Sequence, residues 1–155
     1  MEWWVLVHVA TAFWFVAGLA GRDVSIARAA RATDMASIQA LTGVAGVFDH
    51  FFVIPGSMAV LVAGLIAIAA THLSLGDQAW LLVALVLFLS IIPLVPLVFL
   101  PRGKVFEAAL EESVVAGEVT PGLRAAFGDR AVNGARWYER IVVAVIIVLM
   151  VTKPF

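Results

Sequence analysis

The chain has 155 residues, 63% of them hydrophobic and only 14% charged. A water-soluble domain needs about a quarter of its residues charged to cover its surface, which excludes a soluble enzyme, and a net charge of −1 excludes the basic excess of a nucleic-acid binder. No cysteine is present, so disulfides, thiolate zinc sites, iron–sulfur clusters and cysteine nucleophiles are excluded together.

What remains is a single integral membrane domain over residues 1–155, and its spans can be taken in chain order. A crossing helix needs roughly 20 mainly apolar residues. The first, residues 3–21, is free of charge and opens on Trp3 and Trp4, residues that anchor a helix at the membrane–water interface. A signal peptide would begin with a positive region. This chain begins Met-Glu-Trp-Trp, so the stretch reads as a retained span. The second span, residues 51–72, lies in the charge-free run from Phe51 to Gly76, and the third covers residues 79–101. The fourth, residues 137–154, is tight. Ile141 to Thr152 is strongly apolar but short, so the crossing must take in Trp137, Tyr138, Glu139 and Arg140.

Lysine and arginine placement sets the orientation. Segment 22–50 holds Arg22, Arg28 and Arg31; segment 102–136 holds Arg102, Lys104, Arg124, Arg130 and Arg136. Thr71 to Gln78 holds neither residue type. Both basic segments are therefore expected in the cytoplasm, with both termini outside, in a bacterial inner membrane. The cytoplasmic segments read as helical extensions. The alanines from Ala29 to Ala40 favour helix, with a start near Asp34. Thr120-Pro121 reads as a capped helix start, with a break at Gly128 or Gly134 as plausible as continuation to Thr152. Lys104, Glu107 and Glu111 share one face of a short amphipathic helix, and Phe106, Ala109 and Leu110 share the other. The expected fold class is all-α: a four-helix membrane bundle with cytoplasmic helical extensions.

An ionisable residue inside a span is a functional hypothesis by default. His8 lies five residues into span one, about 8 Å below the outer edge, with Thr11, Phe15 and Gly18 on its face. It reads either as an axial haem ligand or proton-active group, or as a histidine hydrogen-bonded to a neighbouring helix. His72 closes span two on the same side and is the one histidine able to meet His8. His50 is excluded from that pair by 22 residues of helix, about 33 Å. At the cytoplasmic edge, Arg22, Asp49, His50, Glu139 and Arg140 form a polar cluster. It suits an anionic headgroup or protons, or is ordinary snorkelling and ion pairing. No histidine pair or Glu-x-x-His has metal-site spacing on a helix.

Pro93, Pro96 and Pro101 each remove a backbone donor from span three, freeing in turn the carbonyls of Leu89, Ile92 and Leu97; Pro55 does the same for Phe51. Gly43, Gly46 and Gly64 are expected to allow close helix approach. No nucleophilic triad or phosphate-binding loop is present, and Ser57, Ser74 and Ser90 have no evident base partner.

The residues carry a family resemblance. Span one reads His8-x5-Trp14 followed by Ala17-Gly18; span two has Phe51, Pro55-Gly56 and Gly64; span three opens at Trp80; and the chain closes Leu149-Met150-Val151-Thr152-Lys153-Pro154. Over nearly its whole length the chain resembles an uncharacterised family of bacterial four-helix predicted integral membrane proteins, a domain of unknown function. More remotely it is similar to the copper-resistance D membrane domain and to the haem-binding J-type protoporphyrinogen oxidase. The latter resemblance implies His8 as the haem-ligating histidine. That enzyme carries a functional lysine in its third span, whereas Leu81 to Ser90 holds none, so the oxidase activity is not implied. Sparse methionine and absent cysteine offer copper no clear soft-ligand path.

Three functions follow as expectations. The first is a membrane protein binding haem b through His8, with His72 as second ligand, in a redox or porphyrin-related role. The second is a non-catalytic subunit or scaffold binding lipid or partner transmembrane helices, as a homo-oligomer or in a membrane complex. The third is a small-solute transporter, although no acidic residue lies at mid-membrane to couple ions. No nucleic-acid partner is expected.

Overall fold

The computed structural model describes residues 3–71 and 78–154, and these fall into two compact units, 1–73 and 74–155. Helices and short connections account for all the described residues, with no strand among them. The fold is an all-α membrane helical bundle. Three continuous helices, Trp3–Ala29, Met35–Ala70 and Ala79–Ala116, are long and apolar enough to cross a bilayer.

The first unit is an antiparallel pair. Helix α1 (Trp3–Ala29) runs past the expected end at Gly21, because its last turns bury Arg22, Ser25 and Ala29. Together with Phe15, Gly18 and Leu19 these residues recur every three or four positions, the stripe of a helix that packs on one side. Asp34 caps the returning helix, accepting the Ser37 amide at 2.8 Å. That amide holds the Asp34 carboxyl below the usual carboxylate range. Helix α2 (Met35–Phe48) passes through a π turn (Asp49–Val53) into α3 (Ile54–Ala70) without a break. The π turn ends two residues before Pro55, which has no amide to give. The helix widens there, and the Ile54 N–H reaches back to the Asp49 carbonyl.

Glycines set how closely the pair packs. A Cβ on Gly18 would stand 2.5 Å from the Phe52 Cβ and 3.1 Å from its backbone carbon. One on Gly56 would meet the Phe15 Cα at 3.0 Å, and one on Gly21 would collide with the Phe48 ring. Gly43 and Gly46 depart from expectation. Among the described residues nothing stands within 4 Å of a Cβ at either position, and both glycines are exposed.

In the second unit α4 (Ala79–Ile91) continues through a π turn (Val95–Phe99) into α5 (Leu100–Ala116). The third span and the amphipathic helix are therefore one element. The freed carbonyls explain how the prolines are tolerated. Leu89 O takes the Ile92 amide at 3.3 Å and Ile92 O takes the Val95 amide at 3.2 Å. Donors within the same helix thus tighten and then widen the ladder around Pro93 and Pro96. On α5, Lys104, Glu107 and Glu111 are exposed, whereas Phe106, Ala109 and Leu110 are partly covered, as the pattern implied.

Gly117, at φ 72°, ends α5 in the left-handed region, and Thr120 caps α6 (Pro121–Phe127). The break expected at Gly128 or Gly134 falls at Gly128. Asp129 then restarts the chain as α7 (Arg130–Thr152), which runs through Gly134. The Asp129 carboxylate accepts the Val132 and Ala131 amides at 3.2 and 2.8 Å and Arg102 Nη1 at 2.9 Å. The Val132 amide leads in holding its pKa below the usual range, with the Ala131 amide and Arg102 adding to it.

Helix α7 packs antiparallel to α4. Lys153 lies 5.6 Å from the buried Trp80 ring at one end, and the Tyr138 and Ser90 hydroxyls meet at 2.7 Å further along. The longest charge-free run of α7 is Ile141–Thr152, about 18 Å of helix, which is shorter than the hydrocarbon layer.

Candidate functional site

Helices α1 and α3 build the site around His8. The face containing Phe15 and Gly18 turns toward the returning helix, Phe15 against Gly56 and Gly18 against Phe52, and carries His8 with it two helical turns before Phe15. The imidazole lies against Gly64, where a Cβ would come within 3.0 Å of its Cε1 and 3.1 Å of its Nδ1. Across that clearance Nδ1 stands 3.0 Å from the carbonyl of the buried Val60. A carbonyl can only accept, so Nδ1 carries the proton. The neutral ring then holds a bare lone pair on Nε2. The Thr11 hydroxyl occupies itself locally, donating to the carbonyls of His8 and Val7 at 2.9 and 3.0 Å.

A histidine oriented by a backbone carbonyl through one nitrogen is prepared to offer the other to a metal or a hydrogen-bond donor. Among the described residues no three histidine, aspartate or glutamate side chains group to hold a bare metal ion. A single imidazole fits instead a ligand that brings most of its own coordination sphere. Haem does so, and histidine is a common axial ligand to its iron. The proposed partner His72 lies outside the described residues, so the pairing of the two histidines does too.

The polar cluster expected at the other end draws residues from each unit. Arg22, 5% exposed, donates from Nε to Asp23 at 3.1 Å and from Nη1 to Asp49 at 3.5 Å, the residue that opens the π turn. Arg22 lies roughly 28 Å along α1 from Trp3, close to one hydrocarbon thickness. His50 is exposed, its ring edge-on to Phe51 with centroids 5.0 Å apart. In the second unit Glu139 is buried in α7, while the Arg140 guanidinium sits 4.9 Å over the exposed Trp137 ring. The structure thus joins Arg22 to Asp49, adds Asp23, and sets Arg140 on an aromatic ring.

Two of the serines have local partners. Ser57 donates to the Ile54 carbonyl at 2.8 Å, and Ser90 to the Leu87 carbonyl at 2.6 Å. Ser74 lies outside the described residues. The sequence pattern did not single out Val60, whose contribution is a main-chain oxygen that any residue type would supply. Gly64 was marked for close approach, but its neighbour is an imidazole ring.

Residues 3–154 match the model of a family described as predicted integral membrane protein, DUF2269. The chain belongs to that family. No curated protein and no solved structure matches it. The comparisons carry the resemblance to an uncharacterised membrane family and not the remoter ones to the copper-resistance domain and the haem-binding oxidase. As a DUF2269 protein the chain sits in a lipid bilayer, and its three long apolar helices are the elements suited to crossing it.

Proposed function

We propose that the bundle binds haem b, with His8 Nε2 as the protein's ligand to the iron and a redox or porphyrin-related role in the bacterial inner membrane. The observation that supports this reading is the hydrogen bond from His8 Nδ1 to the Val60 carbonyl, 3.0 Å long, which leaves Nε2 deprotonated in the neutral ring. Haem would supply one-electron chemistry. The protein's own contribution is to hold the imidazole against α3, with Nδ1 on the Val60 carbonyl and the ring beside Gly64. His72 is the second histidine that the sequence offers at that depth.

The topology proposed with this reading keeps both termini outside, with α7 as a fourth crossing that draws on Trp137 to Arg140 to reach full length. A non-catalytic subunit or scaffold is the competing reading. It draws on Gly43 and Gly46, where a Cβ would meet none of the described residues within 4 Å and a partner helix would be admitted.

The visible absorption spectrum decides between them. Protein purified in detergent from cells supplied with haem should show a Soret band, and His8→Ala should abolish it while the far-ultraviolet helix signal stays. A colourless wild-type protein overturns the haem reading and leaves the scaffold.

A further inference from the structure

We infer that Gly64 is the positioning residue of this site: its missing side chain opens the Val60 carbonyl to His8 Nδ1 and so fixes which nitrogen faces a ligand. The inference rests on the proposed function only for the ligand's identity; the choice of tautomer stands on the geometry alone. In an α-helix the carbonyl of residue 60 points along the axis toward the amide of residue 64. Cα–Cβ bonds tilt toward the helix N-terminus, so a side chain at 64 would lie over the turn that begins at Val60. Glycine leaves that turn uncovered. The second lone pair of the carbonyl is then reachable from α1, and the imidazole occupies the opening with Cε1 and Nδ1 at the distances a Cβ would contest.

The consequence is chemical selectivity. With its one proton committed to Val60, neutral His8 has no hydrogen on Nε2 to donate. The site therefore takes electron-pair acceptors, meaning a metal centre or a hydrogen-bond donor, and turns away ligands that present only a carbonyl. A haem iron belongs to the first class and the carbonyl of a quinone to the second. Alanine at 64 would push the ring a few tenths of an ångström off the carbonyl, lengthen the Nδ1 bond and release the tautomer.

The test is ring-nitrogen NMR on haem-free protein labelled with ¹⁵N-histidine in detergent micelles, at a pH where the imidazoles are neutral. The His8 signals are assigned by their loss in His8→Ala. Wild-type protein should show a protonated Nδ1 and an unprotonated Nε2 at His8, and Gly64→Ala should show a mixture of tautomers or the reverse one. Gly43→Ala, where a methyl would meet none of the described residues within 4 Å, should leave the signals unchanged. A wild-type His8 protonated on Nε2, or a Gly64→Ala protein with the wild-type pattern, overturns the inference. If the variant does not fold, a wild-type His8 protonated on Nε2 still overturns the inference.

A second readout separates this failure from that of the haem reading. At a fixed haem supply Gly64→Ala should lower haem affinity by roughly tenfold or more, the usual scale for removing the group that orients a ligating histidine. A colourless wild type with a protonated Nδ1 sinks the haem proposal and keeps this one. A Soret band that survives unchanged in Gly64→Ala, beside an unchanged tautomer, does the reverse.

Discussion

The two units pack by opposite means. In the first, α1 meets α2 and α3 through missing side chains. Gly18 receives Phe52, Gly56 receives Phe15, Gly21 receives the Phe48 ring and Gly64 receives His8. In the second, a Cβ on Gly103, Gly117 or Gly134 would meet none of the described residues within 4 Å, and hydroxyl groups make connections there. Ser113 donates to the Ala109 carbonyl at 2.9 Å, which uses its single proton. The 2.7 Å contact with Thr120 must therefore be a donation from the threonine, whose oxygen in turn accepts the Leu123 amide at 3.3 Å. One chain of hydrogen bonds runs from the start of α6 to the last turns of α5, while Ser90 and Tyr138 join α4 to α7.

The difference teaches where each device works. Lipid tails are as apolar as the side chains they replace, so helices in a membrane gain little from hydrophobicity and much from close approach. Glycine provides that approach, and it brings main-chain oxygens within reach of a side chain on the next helix. At the α5–α6 turn the backbone leaves its helical ladder, and the orphan amides need partners. Caps and hydroxyls are the answer there. His8 sits in the unit where a backbone carbonyl could be opened to it.

The comparison breaks first at Gly18. Gly18→Ala places a methyl against the Phe52 Cβ and backbone, neither of which can swing aside. It should cost about 1–3 kcal/mol, the usual price of overpacking, read as a lower midpoint of unfolding in detergent. Gly43→Ala, on an open face, should be neutral or stabilising by up to about 1 kcal/mol from helix propensity. Equal effects at the two sites would remove the basis for treating the first unit as packed by glycine.

Ser113→Ala tests the second unit. The serine is fully buried, and its loss removes the acceptor of both the Thr120 hydroxyl proton and the Thr120 amide. A cost of about 1–2 kcal/mol is expected, with faster amide exchange at Leu123. Exchange unchanged at that amide would mean the hydroxyl chain does not hold the turn.

The smallest expected effect is acid loosening at the start of α7. Asp129 has its pKa depressed in the folded protein, first by the Val132 amide, so its contribution is complete above the ordinary value of 3.8 and fades as pH falls below it through the folded pKa. Amide exchange at Ala131 and Val132 should quicken in that acid range. Asp129→Asn should blunt the change. Asp34, depressed by the Ser37 amide, should give the first unit the same response, so a response confined to one unit would contradict the capping account.

Local signals carried well from sequence to structure. Asp34, Thr120-Pro121 and Gly128 mark real starts and stops, because a cap acts within one turn of its own backbone. The stripe from Phe15 to Gly18 correctly gave the face that His8 shares, since helical periodicity is itself local. The prolines were harder to read. Pro93 and Pro96 remove backbone donors from the third span, yet the helix runs on to Ala116, because neighbouring amides within the same helix take up the carbonyls they free.

Composition, charge distribution and periodicity alone determined that this is an all-α membrane protein with little chemistry inside its spans and His8 as the candidate there. Those properties are set by solvent and helix geometry, which act residue by residue. Only the tertiary structure decided what His8 touches. Gly43, Gly46 and Gly64 are the same residue type in similar surroundings, and which of them meets a neighbouring helix depends on the rotation of one helix about its axis against another. That rotation puts Gly64 beneath the imidazole, leaves Gly43 and Gly46 open, and selects the Val60 oxygen as the partner that assigns the histidine its proton.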